Sequence, residues 1–311
     1  MKKPLVVVIA GPTASGKTGL SVEIAKKLDG EIVSADSMQI YKTMDIATAK
    51  PTKEETAGIP HHLIDFVNPE DSFSVAKYKQ LAYSAIDGIL SRKKLPIVVG
   101  GTGLYIDALI NNTAFLDYPD NNIREELEKR STIEGLESLY EELKRIDSET
   151  AEKLHINDSK RIIRALELYY LTGKTITEQN KLSQITDSPY DFLMIVLNAH
   201  DRQLLYDRIN RRVDNMLEDG LLEEAKIFFE SEASKTAKQA IGYKELKPYI
   251  DGKIPFDEAV EKLKRETRRY AKRQLTWFRN KKDVNWLYID EETDMSLADR
   301  CIEVINEHSG V

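Results

Sequence analysis

The chain of 311 residues has a single cysteine, Cys301, and no long apolar run. One cysteine excludes an intrachain disulfide and every metal site built on several thiolates, and it suits a reducing compartment such as the cytoplasm. No stretch approaches the ~20 apolar residues that a membrane-spanning helix needs. The first apolar run covers only residues 5–10 and has no small-residue cleavage site after it, so it predicts a buried strand and not a signal peptide. We expect a cytoplasmic protein without membrane contact.

Basic residues are fewer than acidic residues in the chain as a whole, which has a net charge of −7. The exception is the segment 262–279, in which eight basic residues accompany one acidic residue, Glu266. Basic residues interleaved with Tyr270, Trp277 and Phe278 are typical of nucleic-acid contact, and a solvated helix face gives the same composition. Composition alone favours neither alternative. The position of Arg265, Arg268, Lys272 and Arg279 near one helix face suits a phosphate backbone better than a single ligand.

Alternating strands and helices predict an α/β fold, with a parallel sheet that carries a phosphate loop and is flanked by helices. Strands are predicted at 5–10, 31–36, 97–99, 190–198 and 284–290. Helices are predicted at 18–28, 74–91, 202–217, 221–230, 256–278 and 296–308. From residue 118 to residue 188 the segments are helical and charged, without a strand. We therefore predict a helical insertion domain over 118–188 in a core domain formed by 1–117 and 189–311.

Residues 11–18, GPTASGKT, have the spacing of a phosphate-binding loop between a strand and a helix. The glycines let backbone N–H groups converge on phosphate oxygens, the helix N-terminus favours negative charge, and Lys17 adds a cation. Thr18 is placed to ligate Mg²⁺ through its hydroxyl. The motif predicts a phosphate site and leaves the reaction open. Its residues are Gly11, Pro12, Thr13, Ala14, Ser15, Gly16, Lys17 and Thr18.

The ends of the other strands favour a reaction other than nucleotide hydrolysis. Hydrolases and kinases usually carry a second acid at a strand end to organise Mg²⁺ and water, but the strand at 97–99 runs into GGTG without a carboxylate. Asp36 is the strand-end acid near the loop, which suits a general base, with capping of the next turn as the alternative. Ligands bind at the carboxyl ends of parallel strands. The phosphate loop, Asp36 and Thr102 should therefore surround one crevice.

Three other clusters admit more than one interpretation. His61, His62 and Asp65 could form a metal site, but adjacent histidines point in different directions, which favours an ordering role in a loop. Arg208 and Arg212 lie one helical turn apart and could both reach an anion. A further basic stripe, formed by Lys160, Arg161 and Arg164, lies on a predicted helix whose apolar residues face inward. Surface ion pairing explains either basic stripe equally well.

Eight stretches occur in a fixed order over nearly the whole chain: GPTASGKT, DSMQIY, TAKPT, HHLID, VVGGTGLYIDAL, NDSKRIIRALE, QAIGYKEL and RRYAKRQLTWFR. In this order the chain resembles the tRNA dimethylallyltransferases, the tRNA isopentenyltransferase family. Only the phosphate loop among them is a general motif. The resemblance implies transfer of a dimethylallyl group from dimethylallyl diphosphate to N6 of adenine 37, beside the anticodon, in tRNAs with adenine at positions 36 and 37. Diphosphate would be released.

The resemblance also implies roles for individual residues. Asp36 would be the base at the adenine amine, Gln39 would read the adenine edge, and Thr18 would bind Mg²⁺. Lys17, Thr102 and Arg212 would act at the diphosphate. The expected tRNA contacts are Asp36, Ser37, Met38, Gln39, Thr102, Arg124, Lys160, Arg161, Ile162, Ile163, Arg164, Gln239, Ala240, Ile241, Gly242, Tyr243, Lys244, Lys272, Arg273, Gln274, Leu275, Thr276, Trp277, Phe278 and Arg279. The target adenine would have to be turned out of its stacked loop.

Two positions depart from the pattern of the family, which usually has glycine at Ala47 and proline at Ile156. The chain lacks the C-terminal zinc finger of eukaryotic relatives, so we expect a bacterial-type enzyme, and a monomer. Three alternatives remain: a kinase that uses ATP, prenyl transfer to free adenosine phosphates, and an RNA-binding protein without catalysis. The first two activities do not require the basic stripes, and RNA binding alone does not require Lys17 and Asp36 at one crevice.

Overall fold

The computed structural model describes residues 2–113, 122–183 and 187–310. The chain divides into two compact units, of which the first contains Met1–Ile110 and Pro189–Val311 and the second contains Asn111–Ser188. The predicted start of the insertion, at residue 118, lies outside the described residues. Within the described ranges, every helix is too short or too polar to cross a membrane.

The first unit is built on a six-stranded parallel sheet, which confirms the predicted fold class. Its strand order is β3-β2-β4-β1-β5-β6. The strands are β1 (Leu5–Ala10), β2 (Gly30–Ser34), β3 (His61–His62), β4 (Leu95–Gly100), β5 (Asp191–Asn198) and β6 (Val284–Tyr288). The two-residue strand β3 was not predicted, because it is too short to show an alternating pattern.

Alternation along the central strands explains why helices cover both faces of the sheet. In β1, Val6 and Val8 belong to one apolar cluster, while Val7 and Ile9 belong to another. Successive side chains of a strand point to opposite faces, so a continuous run of valines needs apolar cover on both. The second cluster includes residues of helix α1 (Lys17–Lys27) and of α14 (Leu297–Ser309). The larger cluster includes most of the remaining helices of this unit.

The other helices of the first unit are α2 (Lys53–Thr56), α3 (Val75–Ser91), α4 (Gly103–Ile110), α10 (Arg202–Glu218), α11 (Leu221–Glu230), α12 (Tyr243–Ile250) and α13 (Phe256–Arg279). A short 3₁₀ turn covers Ala237–Gln239. Helices α1, α3, α10, α11, α13 and α14 were predicted within two residues of these bounds. Helices α2, α4 and α12 were not predicted.

The second unit is helical, with α5 (Ile123–Ile133), α6 (Leu136–Ile146), α7 (Ser148–Glu152), α8 (Ser159–Thr172) and α9 (Ile176–Ser183). It has its own apolar core, which contains Leu139, Ile162 and Leu166. The buried carboxylate of Asp147 accepts hydrogen bonds from the backbone and the hydroxyl of both Thr150 and Thr177, and so ties α7 to α9. Because these bonds satisfy the carboxylate, its burial at this position is tolerated.

Candidate active site at the phosphate loop

The carboxyl ends of β2, β4 and β1 lie side by side, because these strands are neighbours in the sheet. A cavity of about 310 Å³ lies beyond them, and Lys17, Thr18, Asp36 and Arg212 line it. The structure therefore brings together four of the residues to which the sequence assigned chemistry. Among the described residues that line this cavity, Asp36 is the only acid.

The phosphate loop has the backbone that anion binding requires. Gly16 has a left-handed backbone with φ of 88° and caps the N-terminus of α1, so the first N–H groups of this 11-residue helix are available to an anion. The Lys17 ammonium donates to the carbonyl of Pro12 at 2.7 Å. Of the predicted loop residues, Thr13, Lys17 and Thr18 line the cavity.

Four cations line the cavity, Lys17, Arg212, Lys244 and Arg273, and within the described residues neither Lys17 nor Arg212 has a carboxylate bound to it. Removal from water and the charge of Arg212 lower the pKa of Lys17 to about 7, against a smaller opposing effect of Asp36. Burial also lowers the pKa of Arg212, and the charges of Asp36 and Glu55 oppose that shift. A guanidinium remains charged at neutral pH despite such a shift. Lys17 and Arg212 thus add one titratable and one permanent cation to the lining, and an anionic ligand would stabilise both.

Asp36 serves the turn after β2 and faces the cavity at the same time. Its Oδ1 accepts the backbone N–H of Met38 at 2.9 Å and of Gln39 at 3.4 Å. The capping interaction considered as an alternative to catalysis is therefore present. Within the described residues Oδ2 has no hydrogen-bond partner, so this second oxygen remains available to accept a proton in the cavity.

Thr102 lies beside the cavity, next to the lining residue Ser37, and is not itself among the lining residues. Its hydroxyl oxygen accepts the Ser37 N–H at 3.0 Å and lies 3.3 Å from the Ser37 hydroxyl. In this structure Thr102 therefore contacts the lining residue Ser37, and its role at the diphosphate stays a prediction.

Gln39 has partners within the protein, and its reading of the adenine edge stays a prediction. It lines the cavity, but its amide nitrogen donates to the carbonyls of Thr48 and Ala49 at 3.2 and 3.0 Å. Its amide oxygen lies 3.4 Å from the Ser34 hydroxyl. The amide therefore holds the 48–49 loop and is not free to read a base in this state.

The glycines at the end of β4 and in the turn after it permit close packing, and two of them, Gly100 and Gly101, also line the cavity. A Cβ on Gly100 would lie 2.2 Å from the carbonyl oxygen of Ala35. On Gly101 it would lie 2.1 Å from Gln274 Nε2, and on Gly103 it would lie 2.4 Å from the Trp277 ring. Only residues without a Cβ permit α13 and the chain after β2 to pack this closely on the turn.

The segment 239–244, predicted to contact tRNA, forms one wall of the cavity through Gln239, Ala240, Ile241, Gly242 and Lys244. Tyr243 is buried, and its hydroxyl donates to Glu224 at 2.8 Å. The Glu224 carboxylate also accepts the backbone N–H groups of Asp45, Ile46 and Ala47 at 2.8–2.9 Å. Glu224 was not predicted from the sequence, where it is one glutamate among several on an amphipathic helix.

Helix α13 divides the residues predicted to contact tRNA into two sets. The side chains of Gln274, Leu275 and Phe278 are buried and Trp277 is partly buried, so these side chains do not form an exposed RNA surface. Lys272, Arg273, Thr276 and Arg279 are exposed.

Three cations of the basic segment already have partners within the protein. Lys264 lies 2.6 Å from Asp214, Arg269 lies 2.6 Å from Glu266, and Arg268 donates to Asn210 at 2.5 Å. The exposed cations toward the end of α13 are therefore the better candidates for phosphate contact.

The second unit has a groove of its own, with a volume of about 630 Å³. Arg124, Lys160, Arg161 and Arg164 line it, all of them predicted tRNA contacts. Their neighbours Ile162 and Ile163 are buried in the core of this unit, so the side chains of these two predicted contacts are not available to RNA.

The HHLID stretch orders loops, as favoured from the sequence. His62 Nε2 lies 2.8 Å from Glu31 Oε2, and Asp65 accepts Lys50 Nζ at 2.7 Å. Across the described ranges, no three His, Cys, Asp or Glu side chains are grouped so that they could hold a metal ion.

Comparison with known families supports the motif assignment. The family model described as IPP transferase matches residues 39–281, and the model described as Isopentenyl transferase matches residues 4–66. A tRNA dimethylallyltransferase from Caldanaerobacter subterraneus is 51% identical over 290 residues, which cover 92% of each chain.

Solved structures agree with these matches. The tRNA isopentenylpyrophosphate transferase from Bacillus halodurans is 47% identical with a TM-score of 0.72, covering 99% of this chain and 96% of that one. A eukaryotic dimethylallyltransferase, described as acting on tRNA, is 32% identical with a TM-score of 0.84, over 99% of this chain and 80% of that one. The chain therefore belongs to the IPP transferase family.

Proposed function

We propose that this enzyme transfers the dimethylallyl group of dimethylallyl diphosphate to N6 of adenine 37 in tRNA and releases diphosphate. The observation that carries the proposal is the cavity lined by Lys17, by Arg212 and by Asp36, the one acid among the described lining residues. The cations suit a leaving group with several negative charges, and one carboxylate suits a nucleophile that must lose a proton. The family membership supports the choice of tRNA and of dimethylallyl diphosphate as the two substrates.

The reaction needs one bond formed and one broken. The lone pair of N6 attacks the allylic C1 of the donor, the C1–O bond breaks, and its electrons leave with the diphosphate. The proton of N6 passes to Oδ2 of Asp36, the oxygen that is not engaged in the turn. An exocyclic amine is a poor nucleophile, so a positioned acceptor lowers the barrier by removing charge as the N–C bond forms.

Lys17, Arg212 and the N-terminus of α1 would bind the diphosphate. Negative charge builds on the leaving oxygen in the transition state, and these groups are fixed before the reaction, so they stabilise the transition state more than the ground state. Thr18 lines the cavity, and its hydroxyl has no hydrogen-bond partner in the described residues. It is suited to hold Mg²⁺ together with phosphate oxygens and water, an arrangement that needs no protein carboxylate cluster. The ion would neutralise charge on the departing diphosphate.

The rival kinase activity is less well supported by the cavity. In addition to its catalytic base, a kinase uses carboxylates to position its metal ions. Asp36 is the only acid among the described residues that line this cavity. The second rival, transfer to free adenosine phosphates, is not favoured because it leaves idle the exposed cations of α13 and of the groove in the second unit.

The proposal is tested with radiolabelled dimethylallyl diphosphate and four acceptors: an anticodon stem-loop with adenines at 36 and 37, the same stem-loop with guanine at 37, AMP, and buffer. Label should enter only the first acceptor. Label in AMP would support the second rival. A parallel reaction with γ-labelled ATP should phosphorylate neither RNA nor AMP, and transfer of that label would support a kinase.

We also propose that the protein acts as a cytoplasmic monomer, with tRNA as its macromolecular partner. The central cavity supports a monomer, since all of its lining residues come from one unit of one chain. Sedimentation equilibrium at micromolar concentrations should give the mass of one 35.5 kDa chain, and a mass of twice that value would contradict the monomer.

A further inference from the structure

Gln274 connects α13 to the phosphate loop directly. Its side chain is buried, with 6% exposed. Its Oε1 accepts the backbone N–H of Thr13 at 2.9 Å, and its Nε2 donates to the carbonyl of Gly101 at 3.0 Å. One side chain thus joins the loop after β1 to the turn after β4.

The packing around Gln274 leaves the amide little freedom. The missing Cβ of Gly101 makes room for Nε2, and the missing Cβ of Gly103 makes room for Trp277, which follows Gln274 by one helical turn. The side chains of Gln274 and Trp277 thus pack this part of helix α13 against the glycine-rich segment after β4. Because both amide atoms of Gln274 are engaged, its orientation is fixed by hydrogen bonds at each end.

We infer that Gln274 is a positioning residue for the diphosphate site, which acts through Thr13 by holding the phosphate loop against the Gly101 turn. The inference rests on the proposed function only in naming diphosphate as the ligand. Thr13 lines the cavity, and its N–H donates to Gln274. Because this bond holds Thr13 in place, it also fixes the geometry in which the remaining N–H groups of the loop are presented to the diphosphate. Without Gln274 the Thr13 N–H would be left without its partner and the loop could shift.

Glutamine is the side chain that this position requires. It must accept from one backbone N–H and donate to one backbone carbonyl, and its apolar stem must reach between two segments. Methionine has a similar length and can do neither. Glutamate keeps the acceptor for Thr13, but when it is ionised it cannot donate to Gly101 and it repels a diphosphate.

The test measures binding of inorganic pyrophosphate, with Mg²⁺ present, by calorimetry for the wild type, Gln274→Met and Gln274→Glu. Loss of a buried hydrogen bond that leaves an unpaired group corresponds to about a tenfold change, so we expect Gln274→Met to raise the Kd about tenfold. The KM for dimethylallyl diphosphate should rise similarly, with the KM for the stem-loop changed less than twofold. The matched control is Gln203→Met, which removes an exposed hydrogen bond to Asp207 on α10.

The Gln274→Glu variant adds a second measurement, the pH dependence of pyrophosphate binding, which a general packing defect would not change. Its Kd relative to that of the wild type should fall as the pH is lowered from 7 toward 5, because the fraction of protonated carboxyl, which can again donate to Gly101, rises toward the pKa of a glutamic acid. For the unaltered protein, hydrogen exchange detected by NMR should show the Thr13 amide protected in the absence of ligand. This measurement needs no variant and covers the case in which the variants do not fold.

Three results would overturn the inference: a folded Gln274→Met variant that binds pyrophosphate like the wild type, equal losses of pyrophosphate and stem-loop binding, or an unprotected Thr13 amide. Failure of the proposed function would look different. Label transfer to the stem-loop would then be absent while the dependence of pyrophosphate binding on Gln274 persisted.

Discussion

Lys17 and Arg212 line the same cavity, where removal from water and the charge of Arg212 lower the pKa of Lys17 to about 7. In the ligand-free protein the ammonium is therefore partly deprotonated at neutral pH. A bound diphosphate reverses the balance, because its negative charge favours the protonated lysine.

Diphosphate binding should therefore be coupled to proton uptake. At pH 8 most of Lys17 is neutral before binding and charged after it, so uptake should approach one proton, and affinity should fall as pH rises above 7. Calorimetry of pyrophosphate binding in buffers of different ionisation enthalpy measures this uptake. Lys17→Arg is the control that reports the protons taken up by the ligand itself, because an arginine stays charged. Equal uptake by both proteins would contradict the low pKa of Lys17.

Binding of tRNA should weaken steeply with salt. Each phosphate contact contributes roughly 0.7–0.9 to the slope of log K against log salt, so Lys272→Gln and Arg279→Gln should each reduce the slope by about that amount. Lys26→Gln, an exposed position in the last turn of α1, is the control and should leave it unchanged. Filter binding of a labelled stem-loop between 50 and 300 mM KCl gives the slopes. A flat salt response would remove the case for phosphate contact along α13.

Glu224 should be important for stability and for the shape of the cavity. Its carboxylate accepts hydrogen bonds from three backbone N–H groups and from the hydroxyl of Tyr243. In a glutamine at this position the amide NH₂ group would meet some of these donors and could not accept their hydrogen bonds. We expect Glu224→Gln to lower the free energy of unfolding by about 2–3 kcal/mol, as measured by urea denaturation. The exposed neighbour Glu223→Gln should change it by less than about 0.5 kcal/mol. If the two variants unfold alike, the loop at 45–47 is not anchored by Glu224.

Glu31 should contribute to stability only above mildly acidic pH. A hydrogen bond from Arg92, opposed by burial and assisted by His62, lowers the pKa of this buried carboxyl to about 2. Because the pKa is lower in the folded state, the stabilisation is complete above pH 4.5 and is lost as pH falls toward 2. We expect roughly 2 kcal/mol after allowance for the exposed side of Arg92. The free energies of unfolding of wild type and Glu31→Gln should differ at pH 7 and converge as pH falls toward 2; a difference that does not vary with pH would contradict this.

Much of the fold was predictable because its signals are local. The valine run of β1, the apolar spacing of α3 and the glycine-lysine pattern of the phosphate loop each depend on neighbours in sequence. The meeting of Lys17, Asp36 and Thr102 at one edge of the sheet was predictable to within one contact from the parallel topology. Thr102 contacts the lining residue Ser37, and sequence periodicity cannot show a contact between individual side chains of this kind.

The long-range contacts of the site could not be predicted. Gln274 bonds to Thr13 from 261 residues away, and no local pattern encodes that pairing. A signal did exist, because Gln274 is a polar residue in the inward series Leu263, Thr267, Ala271, Gln274 and Phe278 of α13. A buried polar side chain requires partners, but the sequence does not name them. The same holds for Glu224, whose partners lie in a loop some 180 residues earlier in the chain.

The most direct measurement of the central claim is the single-turnover rate of dimethylallyl transfer to the adenine 37 stem-loop by wild type and Asp36→Asn. Asparagine keeps an oxygen for the N–H groups of Met38 and Gln39, so the turn is preserved while the proton acceptor is lost. If Asp36 is the base, the rate should fall by roughly 10²–10⁴-fold, with binding of pyrophosphate and stem-loop within about threefold of wild type. An Asp36→Asn protein that transfers the group at the wild-type rate would contradict the account.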